Sequence, residues 1–466
     1  MYDQLHKLLG GRVRATWAEE MRVRGTLVRR YRAYAGGDQR SFLTAKQRAM
    51  LNVKANDEDI ELNYCDMVVQ AMAERLTVTS VQGDTDAATT WAADVLNANR
   101  FDGVQMDVIE ASIQDGVSYV MVEWSNERRL PTLAFEPAWD GDCGLIPVYD
   151  RMGKTMIAAL KVWYEPQGKR VNLYLPDRVV KYVHDEGGLK ALNDAEPWRM
   201  RDNSPIGVPI VAFPNRKPGH GVSELASIIP LQDSLNRSLI DMIMTSGLTA
   251  FQIKVALGFE PPDTVAPGDW VVVPAADAGQ HAPDAKVLAQ GQLVPFISQC
   301  QFLIDQIGTI SRTPLPSHMG GDTQSGEALK QREVGLLGKV ERYQVRGGNQ
   351  WEDTVALMAR VQQAYGTVQP PPAATRWTCK WKNAEKRSDS EVIDNALKVA
   401  DRVGDEEFLR LIAPVFDYDD AKIQQLVAAK AQARDEALAR MAQQVPQFSA
   451  NGGGNGNAVG ERFGAN

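Results

Sequence analysis

Between Ser325 and Tyr365 apolar residues recur at helical spacing: Leu329, Leu336, Val340, Tyr343, Trp351, Val355, Met358 and Val361, with charged residues on the other faces and no proline. The spacing predicts one helix. Ser325 stands as its N-cap, and Glu327 meets the positive end of the helix dipole. At about 1.5 Å per residue it would run about 60 Å, where mean helices hold about 11–12 residues. Such a length marks a strut, a coiled coil or a bent spine. The pair Gly347-Gly348 at its middle is where it would bend or break.

The rest of the chain reads around this helix. Residues 1 to 35 look helical and basic, with Leu5, Leu8, Leu9, Trp17, Met21, Leu27 and Val28 among many arginines. Residues 61 to 76 predict an amphipathic helix, and residues 86 to 115 further helices punctuated by Asn97 to Asn99 and Gly103. Strand signals follow at 117–124, 133–135, 156–164, 171–175, 179–184 and 208–213, with Glu165-Pro-Gln-Gly168 as a turn. Residues 1 to about 220 therefore predict an α+β domain. From Gly219 an apolar stripe (Leu225, Ile228, Ile229, Leu235, Leu239, Ile240, Ile243) predicts another helix, which Pro230 starts or kinks. Residues 251 to 292 alternate like strands at Phe251, Ile253, Val255 and Trp270 to Val273, among five prolines. That is long for a helix connection, which usually takes about 2–8 residues, and predicts a small β insertion. Residues 293 to 311 form a very apolar helix carrying Phe296, Ile297, Cys300, Leu303, Ile304, Ile307 and Ile310, which needs burial against neighbours, other subunits included. A loop from Thr313 to Gln324, with Pro314, Pro316, Gly320 and Gly321, leads into the long helix. After Gln369-Pro-Pro-Pro372 come a strand at 376–382, helices over 388–443, and a Gly/Asn-rich tail expected to be disordered.

The net charge of −8 argues against a broad basic face that grips nucleic acid. It leaves open a wall that lets nucleic acid slide past without sticking, because an acidic wall repels phosphate. Four dispersed cysteines without a CxxC pair predict no disulfide framework and a reducing compartment. No run of about 18 apolar residues predicts a membrane span, and the N-terminus lacks the apolar core of a signal peptide. Gly335-Leu-Leu-Gly338-Lys339-Val340 superficially looks like a phosphate loop, but its spacing is wrong, no strand precedes it, and Val340 replaces the magnesium-binding hydroxyl. Gly219-His220-Gly221 lacks the third glycine of a dinucleotide motif and reads as a turn. The five histidines form no zinc pattern. Neither a nucleophile elbow nor a pair of catalytic carboxylates appears, so no cofactor is expected and catalysis is unsupported. What stands out is order: helix, small β insertion, helix, Pro/Gly loop, very long helix.

The runs GVSELASIIPLQDSLNRSLIDMI (221–243), PFISQCQFLIDQIGTISRTPL (295–315) and GGDTQSGEALKQREVGLLGKVERYQ (320–344) resemble tailed-bacteriophage portal proteins, of the group common in phages of Gram-positive hosts. The resemblance spans about residues 63 to 410. It implies a wing (1–220, with the long kinked helix and strand of 325–385), two stem helices (221–250 and 293–312), a β clip (251–292), a tunnel loop (313–324), a helical crown (386–446) and a tail (447–466). It implies that Pro314, Pro316, Ser317, His318, Met319, Gly320, Gly321 and Asp322 face the DNA channel, with the two prolines stiffening the loop. Ile240, Ile243, Phe296, Cys300, Ile304 and Ile307 would form the stem interface. Phe251, Ile253, Trp270 and Val272 would mark the clip, and Gly347 and Gly348 the helix bend. The implied assembly is a homo-oligomeric ring, typically a dodecamer, at the capsid vertex of the virion, assembled in the host cytoplasm with no membrane. Its implied partners are double-stranded DNA held weakly and without sequence preference, the terminase large subunit, a head–tail adaptor, and the major capsid and scaffolding proteins. Two alternatives stand beside it. One is a cytoplasmic enzyme whose site is built from scattered Asp, Glu and Arg on the α+β domain. The other is a non-viral helical scaffold, in which the β insertion has no obvious use.

Overall fold

The computed structural model describes the chain apart from residues 1, 11–12, 40–42, 46–47, 49–61, 151–154, 167, 186–187, 251–253, 258–269, 274–283, 288–291, 316–325, 373, 386–388, 401, 417, 419 and 445–466. It is α+β. The basic N-terminal stretch forms two helices, α1 (Tyr2–Leu9) and α2 (Trp17–Ala35). The break follows Gly10, whose φ of 55° is left-handed. Helix α3 (Tyr64–Ala73) is capped by Asn63, whose side chain accepts from the N–H groups of Cys65 and Asp66. Thr85 caps α4 (Asp86–Ala98) in the same way. Gly103, expected as a break, sits inside α5 (Phe101–Asp115), on an open surface where nothing forces a turn. The break falls at the other expected position, Asn99, whose amide donates to the carbonyls of Val95 and Pro131.

Strand β1 (Val78–Gly83) precedes α4 in the chain. After α5 come β2 (Val117–Ser125), β3 (Leu130–Glu136) and the antiparallel meander β4 (Gly144–Tyr149), β5 (Met156–Glu165), β6 (Gly168–Tyr174), β7 (Arg178–Asp185) and β8 (Gly188–Ala191). The two-residue β9 (Glu196–Pro197) pairs with β7, and β10 (Ile210–Pro214) pairs with β2. Strand β4 carries no clear strand signal in the sequence because it contains Pro147. It lies at the edge of the meander, where a missing N–H is tolerated.

Strand β2 is buried on both faces, and its alternation serves two cores. Val120 and Val122 join Phe213, Trp351, Val355 and Met358. Val117, Tyr119 and Met121 join Leu145, Ala159 and Tyr174 of the meander. Trp351 is fully buried between Phe101 and Phe213, with ring centroids 4.8 and 4.5 Å away.

Helix α6 (Ile229–Ala250) has Pro230 at its start, where the absent N–H costs nothing, so this proline opens the helix. The insertion holds three strands, β11 (Lys254–Leu257), β12 (Trp270–Val273) and β13 (Asp284–Val287), with β11 central and parallel to β12. Helix α7 (Val294–Ser311) packs on α6. Helix α8 (Gly326–Tyr365) follows as one 40-residue helix. Leu336, Val340 and Tyr343 lie in the core with α3, α6 and α7, while Trp351, Val355, Met358 and Val361 lie in the core with β2. The side chain of Leu329 lies outside the described residues.

Helical hydrogen bonding runs unbroken through Gly347 and Gly348, which sit between these two cores. A Cβ at Gly348 would stand 3.2 Å from the indole nitrogen of Trp381, and one at Gly347 would stand 3.0 Å from the Tyr343 ring. The pair is a notch that admits strand β14 (Trp377–Trp381), which pairs antiparallel with β1. A second compact unit begins at Glu385 and holds α9 (Asp389–Val399), α10 (Asp405–Phe416) and α11 (Asp420–Gln444).

Candidate functional site

The elements singled out by the sequence converge where α6, α7 and the first half of α8 meet. Ile307 is fully buried there in the chain's own core, beside Ile229, Leu235, Leu336 and Val340. Ile240 is buried as well. Ile243, Phe296, Cys300 and Ile304 are half-buried. The exposed apolar residues of α7 are others: Val294, Phe302 and Ile310, with Phe302 60% exposed. Of the loop residues, Pro314 is half-buried, while Pro316, Ser317, His318, Met319, Gly320, Gly321 and Asp322 lie outside the described residues. Phe251 and Ile253 lie outside them too. Trp270 and Val272 occupy β12, opposite Lys254 and Ala256 of β11.

The chemical centre of this junction is Glu224, in a 3-10 turn (Glu224–Ser227) just before α6. Its side chain is 1% exposed. The carboxylate accepts from Arg216 Nε at 2.6 Å and from the Asn215 amide at 2.9 Å. It also receives Lys339 Nζ at 2.5 Å. Lys339 donates in addition to the carbonyl of Ser311 at 2.8 Å, at the negative end of α7. One lysine thus ties the long helix to the C-terminal end of α7 and to the turn that precedes α6. The apparent phosphate loop 335–340 is interior helix. Gly335 leaves room for the Arg312 stem, since its Cβ would stand 3.2 Å from that of Arg312. Arg312 itself caps α7 in the left-handed conformation, φ 54°.

Beside this centre lies a cleft of about 570 Å³, lined by Arg216, Arg312, Lys339, Arg342 and Arg346 against one carboxylate, Glu224. Met72, Ile310, Tyr343 and Val345 complete its walls. Burial alone would raise the pKa of Glu224, but Lys339 and Arg216 outweigh it and hold the carboxyl below its ordinary value. Lys339 is lowered by burial, and Glu224 restores only part because Arg216 and Arg312 push the same way. Two cations, Lys339 and Arg216, pair with this one carboxylate, and Arg312, Arg342 and Arg346 line the cleft besides, so it carries excess positive charge. The sequence holds one trace of it: Lys339, Arg342 and Arg346 fall at i, i+3 and i+7, one face of α8. Nothing local links Arg216 and Arg312 to that face.

Other buried carboxylates are closed by cations of the fold. Asp115 accepts from Arg32 at 2.7 Å, and Glu136 accepts from Lys161 at 2.5 Å. Among the described residues no group of His, Cys, Asp and Glu could hold a metal ion. No helix among them is long and apolar enough to cross a membrane. Gly219-His220-Gly221 is a packing turn, in which Gly221, at φ 63°, lies so close to the Gly116 carbonyl that no Cβ fits.

Residues 18–436 match the family model described as phage portal protein, SPP1 Gp6-like. The portal protein of Mycobacterium phage L5 is 24% identical over 374 residues, covering 72% of this chain and 72% of that protein. The portal protein of Mycobacterium phage D29 is 25% identical over 374 residues, with the same coverage of both chains.

Proposed function

The chain belongs to the SPP1 Gp6-like family of phage portal proteins, and on that premise we propose how its parts serve a portal. The portal is a structural, non-catalytic part of the virion capsid, a ring at the vertex through which DNA passes. In our reading α6 and α7 are the stem, and the three-stranded sheet between them is the clip, which meets the terminase large subunit and later the head–tail adaptor. Residues 313–324 are the tunnel loop beside the DNA. The α+β body with α8 and β14 is the wing, and the helices after Glu385 are the crown. The ring is a dodecamer assembled in the host cytoplasm with capsid and scaffolding proteins. Contact with DNA is weak and blind to sequence.

One observation carries this assignment: a packed helix pair bears a small β sheet in its connection and is followed directly by a 40-residue helix. The exposed apolar residues Val294, Phe302 and Ile310 support a stem contact between subunits, because exposed apolar residues on a helix call for a partner surface. Ile240 and Ile307 act inside the subunit instead. The enzyme alternative finds no support, since the family is structural and the buried carboxylates are paired. Native mass measurement with electron microscopy tests the reading. Rings with a central channel are expected, and a strict monomer at high concentration would overturn it.

A further inference from the structure

The cationic cleft lies in a chain whose net charge is −8. Its lining holds five cations and one carboxylate. Among the described residues Arg312, Arg342 and Arg346 have no ion-pair partner. A local excess of this size against the overall charge calls for an anionic partner. Beside the arginines Ile310 is 45% exposed and Val345 68%. Phosphate gains nothing from such apolar neighbours, whereas protein interfaces combine enriched arginine and methionine with an apolar core.

A complementary surface exists on the same chain. Helices α3 and α5 contain no lysine or arginine. They adjoin through Gln70 Nε2, which donates to Glu110 at 3.1 Å. Asp66, Glu74, Asp107 and Glu110 lie on their outer face, and Met67 and Met106 stand exposed among them, Met106 by 68%. Among the described residues no cation pairs with Asp66, Asp107 or Glu110. At about 100° per residue, Met72 points away from Asp66, Met67, Gln70 and Glu74 on α3. Met72 lines the cleft. The cleft and the acidic face therefore lie on opposite sides of one helix. Two different, complementary surfaces on opposite sides make a head-to-tail contact, which generates a ring when its rotation closes.

We propose that the cleft of one subunit receives the acidic, methionine-bearing face of α3 and α5 from the next copy of this chain. The inference rests on the portal reading for the existence of a ring and adds which surfaces make it. In this contact Arg342 and Arg346 meet Asp66 and Asp107, while Ile310 and Val345 cover Met67 and Met106.

Two charge-reversed variants test it. The cleft variant carries Arg342→Glu and Arg346→Glu, and the face variant carries Asp66→Lys and Asp107→Lys. All four residues are exposed, so each variant should keep its helical circular dichroism and melting temperature. Each alone should stay monomeric where the unmodified chain forms rings, because like charges then face each other. Mixed one to one, they should form rings of even subunit number, since every alternating contact again pairs opposite charges. The neutral pair Arg342→Gln with Arg346→Gln should raise the concentration for half-assembly by about tenfold, equivalent to about 1.4 kcal/mol. Rings from either charge-reversed variant alone overturn the proposal, as does failure of the mixture to assemble. If the cleft variant keeps its rings but loses binding to a short DNA duplex, the cleft is a phosphate site and the proposal falls. If the unmodified chain forms no ring, the portal reading fails first and the inference falls with it.

Discussion

Lys339 meets Glu224 at 2.5 Å and joins the middle of the long helix to the turn that opens α6. Both side chains are nearly out of solvent, 9% and 1% exposed. Removing one member of a buried pair leaves the other uncompensated and costs about 3–5 kcal/mol. Lys339→Met is expected to lower the unfolding free energy by an amount near the lower end, because Arg216 still reaches Glu224. Glu224→Gln should cost more, because it leaves two cations together. The pH dependence has a definite sign. The Glu224 carboxyl lies below its ordinary 4.5 in the folded chain. Its contribution is therefore complete above that value and is lost as pH falls through the folded pKa. Denaturant melts between pH 7 and 3 should show that acid loss in the parent and a weaker one in Glu224→Gln.

His220 supplies a second pH effect. Burial, reinforced by Arg24, pushes its pKa from 6.5 down to about 3. Its ring packs edge-on against Tyr149, with centroids 5.8 Å apart. The unfolded chain takes up this proton below pH 6.5 and the folded chain does not, so stability falls between pH 6.5 and about 3. The slope for one such group is about 1.4 kcal/mol per pH unit. His220→Phe keeps a ring against Tyr149 and removes the proton site. Its stability should decline less steeply over that window, and an unchanged profile would contradict the assignment.

The glycine notch predicts a steric effect. A side chain at 348 must push on Trp381, whose indole nitrogen would stand 3.2 Å from a new Cβ, while the Cys379 Cβ at 3.5 Å leaves no slack for further atoms. Gly348→Val should overpack the seam between α8 and β14 and cost about 1–3 kcal/mol. Hydrogen exchange should quicken in β1 and β14, which pair with each other, while β5 and β6 stay protected. A gain in stability, as expected for replacing glycine in a plain helix, would show that the notch is not filled.

Legibility in the sequence follows from how local each signal is. The core face of helix α8 was readable because its burial repeats every three to four residues, and Leu336 through Val361 take the expected core positions. Strand β1 was not, because its partner β14 lies almost 300 residues on and its six residues alternate only weakly. The role of Gly347 and Gly348 was hidden for the same reason. Whether a glycine pair breaks a helix or admits a strand depends on Trp381, which no local pattern brings near. At the candidate site the helix order was legible, while the Glu224 centre was not. Its members at 215 and 216, at 224, at 311 and at 339 come from four separate segments.

Burial within the single chain divides the apolar residues of α7 into two kinds with opposite expected behaviour. Ile307 has no exposed surface and touches the core of its own subunit. A carboxylate there would be buried without a partner, so Ile307→Asp should unfold the body or leave it insoluble. Phe302 is 60% exposed and belongs to none of the buried core clusters, so its replacement by Asp leaves the cores intact. Phe302→Asp should therefore keep the melting temperature within about 2 °C, since exposed substitutions stay within about 0.5 kcal/mol. If Phe302 faces the next subunit, the same change should shift the chain from rings to monomers in native mass spectra. Rings that persist with Phe302→Asp would place the stem contact elsewhere. A folded, soluble Ile307→Asp monomer would instead contradict the burial on which the division rests.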